Sequence, residues 1–96
     1  MATATLHIEH SITDYPTWKA AFDRFTAARI EAGVLRHRIQ HPAADPSMLL
    51  IELDFETSDR ATAFREFLQS MVWASPHSAP ALASVPQTRI LVAADE

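Results

Sequence analysis

Residues 32–41 read Ala-Gly-Val-Leu-Arg-His-Arg-Ile-Gln-His, and Gly33 within them is the only glycine of the chain. A helical pattern stops at this glycine and a strand pattern begins after it. A left-handed position just past a helix end accounts for it, because a Cβ is disfavoured there. From Val34 to His41 the side chains alternate. Leu35, His37 and Ile39 share one face, and Arg36, Arg38 and Gln40 share the other, the period of a strand in a sheet with two unlike faces.

Upstream, Trp18, Ala21, Phe22, Phe25, Ala28 and Ala32 recur at spacings of three and four, which predicts one helix with an apolar stripe. Asp14 caps it and Pro16 fits its first turn. Before it, Thr3 to Ile12 reads as the first strand, with Leu6 and Ile8 alternating against Thr5, His7 and Glu9. Downstream, Pro42 to Ser47 holds two prolines and an aspartate and reads as a hairpin loop. Met48 to Phe55 is the third strand, with Leu49, Ile51, Leu53 and Phe55 as its apolar face. Thr57 or Ser58 caps a second helix whose stripe is Ala61, Phe64, Leu68 and Met71, broadened by Phe67 and Val72. Trp73 to Pro86 contains three prolines and is irregular, with one helical turn after Ser75-Pro76. Thr88 to Val92 is the last strand.

This βαββαβ order predicts a ferredoxin-like α+β fold: a four-stranded antiparallel sheet with two helices on one face. The other face carries His7, Glu9, Arg36, Arg38, Gln40, Glu52 and Asp54, together with Met48 and Leu50. A second sheet stacked there buries the apolar part and lets the charges pair, so a homodimer is expected, self-complementary across a two-fold axis.

The 96 residues predict a single domain over 1–96, with a core that is sufficient but thin. A net charge of -4 without a basic run argues against nucleic acid as a partner. The absence of cysteine excludes disulfides, thiolate metal sites and a cysteine nucleophile, and fits a reducing cytoplasm. Met1 to His10 lacks the character of a signal peptide, and no apolar run reaches the ~20 residues of a membrane span.

Particular residues carry a resemblance. The first strand runs into Asp14-Tyr15-Pro16-Thr17-Trp18-Lys19, followed by Phe22-Asp23 and by Ala32-Gly33 before the second strand. Asp45-Pro46 stands in the hairpin, and Glu52-Leu53-Asp54-Phe55 precedes the second helix. Over essentially its whole length the chain resembles the dimeric α+β barrel superfamily, and within it the small proteins grouped with antibiotic-biosynthesis monooxygenases. The resemblance implies two four-stranded sheets packed into a barrel across a two-fold interface, with ligands in a cleft between helices and sheet. Members include cofactor-free oxygenases, haem-degrading enzymes, isomerases and polyketide cyclases, so the fold alone does not assign an activity. The oxygenase and haem-degrading members typically use an asparagine with tryptophan and histidine or tyrosine. This chain departs from that pattern: it has no asparagine, and its second helix has no histidine.

His37 is the first candidate for chemistry. On the helix side of the sheet it suits a general acid or base, because an imidazole titrates near ~6.5; the plainer reading is a structural histidine bonded to a carbonyl. Tyr15, in the first turn, offers a hydroxyl at a cleft mouth. Trp18, Phe22 and Trp73 suit the walls of a pocket for a flat apolar or aromatic ligand, or simple core packing. Arg36 and Arg38 offer an anion-binding site, or an ion network with His7, Glu52 and Asp54 that sets dimer register. No metal is expected. His7 and His10 point to opposite faces, and His37 and His41 lie about 13 Å apart at ~3.3 Å per residue.

Two functions follow. The first, drawn from the resemblance, is a cofactor-independent monooxygenase-like enzyme acting on a small aromatic or polyketide-like molecule, with His37 as acid/base and Tyr15 as hydrogen-bonding group. The second is a ligand-binding or structural dimeric module without chemistry, its cleft filled by Trp18, Phe22 and Phe64.

Overall fold

The computed structural model describes residues 3–94. Four strands, β1 (Ala4–Ser11), β2 (Arg36–Gln40), β3 (Met48–Phe55) and β4 (Gln87–Val92), form one antiparallel sheet in the order β2-β3-β1-β4. The helices are α1 (Tyr15–Arg24), α2 (Thr26–Ala32) and α3 (Ser58–Phe67), and α3 continues into a π-helical turn, Leu68–Val72. This is the ferredoxin-like α+β arrangement expected from the order of elements. No helix is long and apolar enough to cross a membrane among the described residues.

The register explains the two faces. Leu6 pairs with Leu53 and Ile90, and Ile8 with Ile51, so the apolar positions of adjacent strands coincide on the helix side. Leu6, Leu49, Leu53 and Phe55 are completely covered there, with Phe64 and Ala61 of α3 packed over them. Burying each such side chain contributes about 1.5–3 kcal/mol. Gly33 takes the left-handed conformation at φ 89°, and its N–H bonds Ile30 O at 3.1 Å. Asp14 caps α1 by accepting from the Thr17 N–H, and Thr57 caps α3 by accepting from the Arg60 N–H.

Two helical expectations need correction. The stripe from Trp18 to Ala32 does not lie on one helix, because the chain breaks at Phe25 (φ -99°, ψ 17°). The carbonyls freed there are satisfied locally: Phe22 O accepts from the Phe25 N–H at 3.2 Å and from Arg29 Nη1 at 2.6 Å, and Asp23 O accepts from Thr26 Oγ1 at 2.7 Å. Met71 is also displaced from the core stripe, being 64% exposed, while Val72 is buried. The π turn, closed by Trp73 N–H on Leu68 O at 2.7 Å, adds a residue and advances the inward position by one.

Smaller differences lie at the strand ends. The second strand begins at Arg36 instead of Val34, because Leu35 N–H already bonds Asp54 O beyond the ladder. The segment after Trp73 is irregular, as its prolines require. It is tied to the end of β1 by an Ile12–Leu82 bridge, by Thr13 N–H on Ala81 O (2.9 Å) and by Ala83 N–H on Ser11 O (3.0 Å).

Candidate functional site

A cavity of about 70 Å³ lies between the sheet and the first helical pair. Its floor is Ile8 and His10 of β1 with Ile51 and Leu53 of β3. Trp18, Ala21, Phe22 and Phe25 form one wall, and Phe64, Leu68, Val72 and Trp73 form the other. Ser78, Ala79, Pro80 and Leu82 cover it. The aromatic wall is ordered by mutual contact: Trp18 and Phe22, one helical turn apart, stack with ring centroids 5.0 Å apart.

Of the side chains singled out from the sequence, Trp18, Phe22 and Trp73 meet at this cavity. His37 and Tyr15 touch its aromatic wall from outside and do not line it. The His37 ring meets Phe22 edge-on at 5.4 Å, and Tyr15 lies 5.9 Å from Trp18 and is 43% exposed. His37 is on the helix side, opposite Leu53, as its parity requires. It is nonetheless exposed, because β2 is the edge strand and the helices do not extend over it.

Arg36 and Arg38 lie on the opposite face of the sheet, away from the cavity. There Arg36 Nε donates to Asp54 Oδ2 at 2.7 Å, Arg38 pairs with Glu52, and Thr5 Oγ1 donates to Asp54 Oδ1 at 2.7 Å. His7 stands between two carboxylates, Nδ1 3.0 Å from Glu52 and Nε2 3.1 Å from Glu9. The Arg38 and His7 hydrogen bonds hold the Glu52 carboxyl below its ordinary range. Burial works to raise Asp54, but the hydrogen bonds from Arg36 and Thr5 outweigh it and leave that carboxyl low as well. The ion network read from the sequence therefore exists within one chain. Among the described residues, no group of three His, Asp or Glu side chains is placed to hold a metal ion.

Besides Ser78 of the covering segment, two polar residues that sequence reading did not single out line the cavity. His10 is only 3% exposed, and its ring lies 6.0 Å from Trp18. Burial pushes its imidazole pKa down, and the hydrogen bond to Ser11 O opposes that only in part. Nδ1 is 3.1 Å from that carbonyl, which only accepts, so Nδ1 carries the proton and Nε2 carries the lone pair. Nε2 has no protein partner among the described residues. His10 also borders a surface hollow with Ser84, Val85 and Thr88. The second residue is the buried Arg29. Parity was the available signal for His10: it continues the series Ala4, Leu6, Ile8. Arg29 had none, because its burial depends on the helix break.

No family model matches the chain, and no curated protein does so significantly. Solved structures do. A protein described as a candidate antibiotic biosynthesis monooxygenase from Nitrosomonas europaea superposes with a TM-score of 0.69 at 17% identity, over 96% of this chain and 90% of that one. A dimeric ferredoxin-like protein from an uncultured marine organism gives 0.66 at 8% identity, over 100% and 99%. SnoaB of Streptomyces nogalater, a cofactor-independent oxygenase crystallised as an asparagine-to-alanine variant, gives 0.65 at 19% identity, over 98% and 95%. The chain thus shares its fold with a dimeric ferredoxin-like protein and with proteins named as antibiotic biosynthesis monooxygenases. That likeness is one of fold.

Proposed function

We propose that this chain binds a small aromatic or polyketide-like molecule between helices and sheet and oxygenates it without a cofactor, with His10 as the base. The observation that carries the reading is the imidazole itself: buried, neutral, its Nδ1 proton fixed by a backbone carbonyl and its Nε2 free, in an aromatic cavity. The fold shared with a cofactor-independent oxygenase supports it.

The chemistry required of the protein is modest. Nε2 takes a proton from an acidic phenol or enol. The resulting anion is electron-rich enough to reduce dioxygen, and a carbon–oxygen bond forms to give a peroxide. Cleavage of its O–O bond, with loss of the remaining hydrogen on that carbon, leaves one oxygen on the product and releases the other as water. Dioxygen is the oxidant and the substrate the reductant. Proton transfer of this kind contributes roughly 10²–10⁴-fold.

The cavity size favours a second reading. About 70 Å³ is far below the ~300–1,000 Å³ of ordinary ligand pockets, which suits a module that only binds or only packs. In the oxygenase reading, the covering segment Ser78–Leu82 moves to admit substrate. We further propose that the chain acts as a homodimer through the charged sheet face.

Dioxygen uptake with a panel of phenols and polyketide-like enols separates these readings. His10→Phe is expected to lower kcat by about 10²-fold or more while the fold stays intact. His37→Ala tests the sequence-based choice of base, and loss there with retention in His10→Phe returns the role to His37. An absence of uptake across the panel leaves the non-catalytic module.

A further inference from the structure

The cavity wall contains a cation that the proposed oxygenation does not use. Arg29 of α2 is 7% exposed, and its Cζ lies 3.7 Å above the Phe22 ring. Nη1 donates to Phe22 O at 2.6 Å and Nη2 to Thr26 Oγ1 at 3.2 Å. A guanidinium has five N–H donors, and the others have no protein acceptor among the described residues. No carboxylate oxygen of the described residues lies within 4.0 Å of it. Burial pushes its pKa down, and the charge of Asp23 offsets part of that.

A buried charge without a counter-charge is costly, and proteins ordinarily pair it. Closing the helix break at Phe22 O needs one donor and no charge, so the cap does not account for a full guanidinium. Stacking on Phe22 accounts for part of the placement, but that ring also belongs to the cavity. The cavity that Arg29 lines is also lined by Trp18, Phe22, Phe25, Phe64 and Trp73, and Phe22 is the ring that Arg29 stacks on. A flat ring with one negative charge fits both: the aromatic walls take the ring, and the spare donors take the charge, for which a carboxylate matches the planar guanidinium. A single cation in a chain of net charge -4 favours one negative charge over several.

We propose that Arg29 is the counter-ion for a small aromatic monocarboxylate bound in this cavity. The proposal rests on reading the cavity as a ligand site and names the class of molecule it takes. Entry of such a ring requires displacement of the covering segment, as the proposed function already does.

Trp18 and Trp73, the only tryptophans of the chain, both line the cavity, so intrinsic fluorescence reports occupancy directly. The test is titration of the whole protein with benzoate and with benzamide, which match in shape and differ in charge. Benzoate is expected to bind at least tenfold more tightly. Arg29→Met should abolish that preference, weakening benzoate far more than benzamide. If Arg29→Met does not fold, Arg29→Lys serves in its place: it keeps the charge, loses the planar fork, and should prefer benzoate more weakly than the parent does. Equal or tighter binding of benzamide to the parent protein overturns the proposal and leaves the cavity as a site for neutral ligands. So does a preference for benzoate that survives in folded Arg29→Met. If neither compound alters the fluorescence, the ligand-site reading fails and this proposal fails with it.

Discussion

His10 and Trp18 share the wall of one cavity, with ring centroids 6.0 Å apart and planes tilted by 52°. An imidazole so placed gains little from charging, because the apolar rings around it replace the water that would solvate the cation.

A pH dependence follows. Burial lowers the His10 pKa in the folded chain from its ordinary 6.5, so just below that pH the unfolded chain binds a proton that the folded one does not. Stability is full above about pH 6.5 and falls as the pH drops toward the folded value. Glu52 and Asp54 act later. Their ordinary values are 4.5 and 3.8 and their folded values lie lower, so their contribution is lost only in more acidic solution. Urea midpoints taken across pH 5–8 should show the earlier decline in the parent protein and lack it in His10→Phe. An identical decline in both would assign it to another group.

Ala81 has φ 68°, the one non-glycine residue with positive φ among those described. The left-handed conformation costs an L-residue about 1–2 kcal/mol, and glycine's extra freedom returns roughly half to all of the smaller figure. Ala81→Gly should therefore raise stability by up to about 1 kcal/mol, whereas Ala81→Val should lower it by at least about 1 kcal/mol. Thermal unfolding of the two variants checks both signs.

The charged sheet face bears on association. Leu50 and Leu91 lie on it, set by pairing of Leu50 with Glu9 and of Leu91 with Thr5. If two copies stack through this face, Leu50→Asp combined with Leu91→Asp buries two unpaired carboxylates per chain. The dimer dissociation constant should rise by about 100-fold or more. Sedimentation equilibrium reads this directly, and a parent protein that is monomeric at micromolar concentration would exclude the dimer.

The parts of the fold that were legible in the sequence are those set by local chemistry. Gly33, Asp14 and Thr57 mark helix ends because each offers the backbone something most residues do not. Met48–Phe55 was bounded correctly because a proline-containing loop precedes it and a helix cap follows it. The helix break at Phe25 was not legible, since no proline or glycine marks it and its stabilisation comes from Arg29 reaching back to Phe22 O. At the site, the aromatic walls followed from helical spacing. His37 was placed on the correct face but at an uncovered edge, and strand order is a tertiary property that face parity does not contain. His10 satisfied the same parity rule and is covered because β1 is a central strand.

The π turn at Leu68–Val72 has a consequence for comparing this chain with its structural relatives. Against a relative whose corresponding helix is regular, inward positions beyond Leu68 are out of step by one residue. Matching the sequences column by column would set Met71, which faces solvent, where the relative has a core or pocket residue, and would leave Val72 unmatched. Roles carried over from such a relative reach Trp73 and the segment after it only when that one inserted residue is counted.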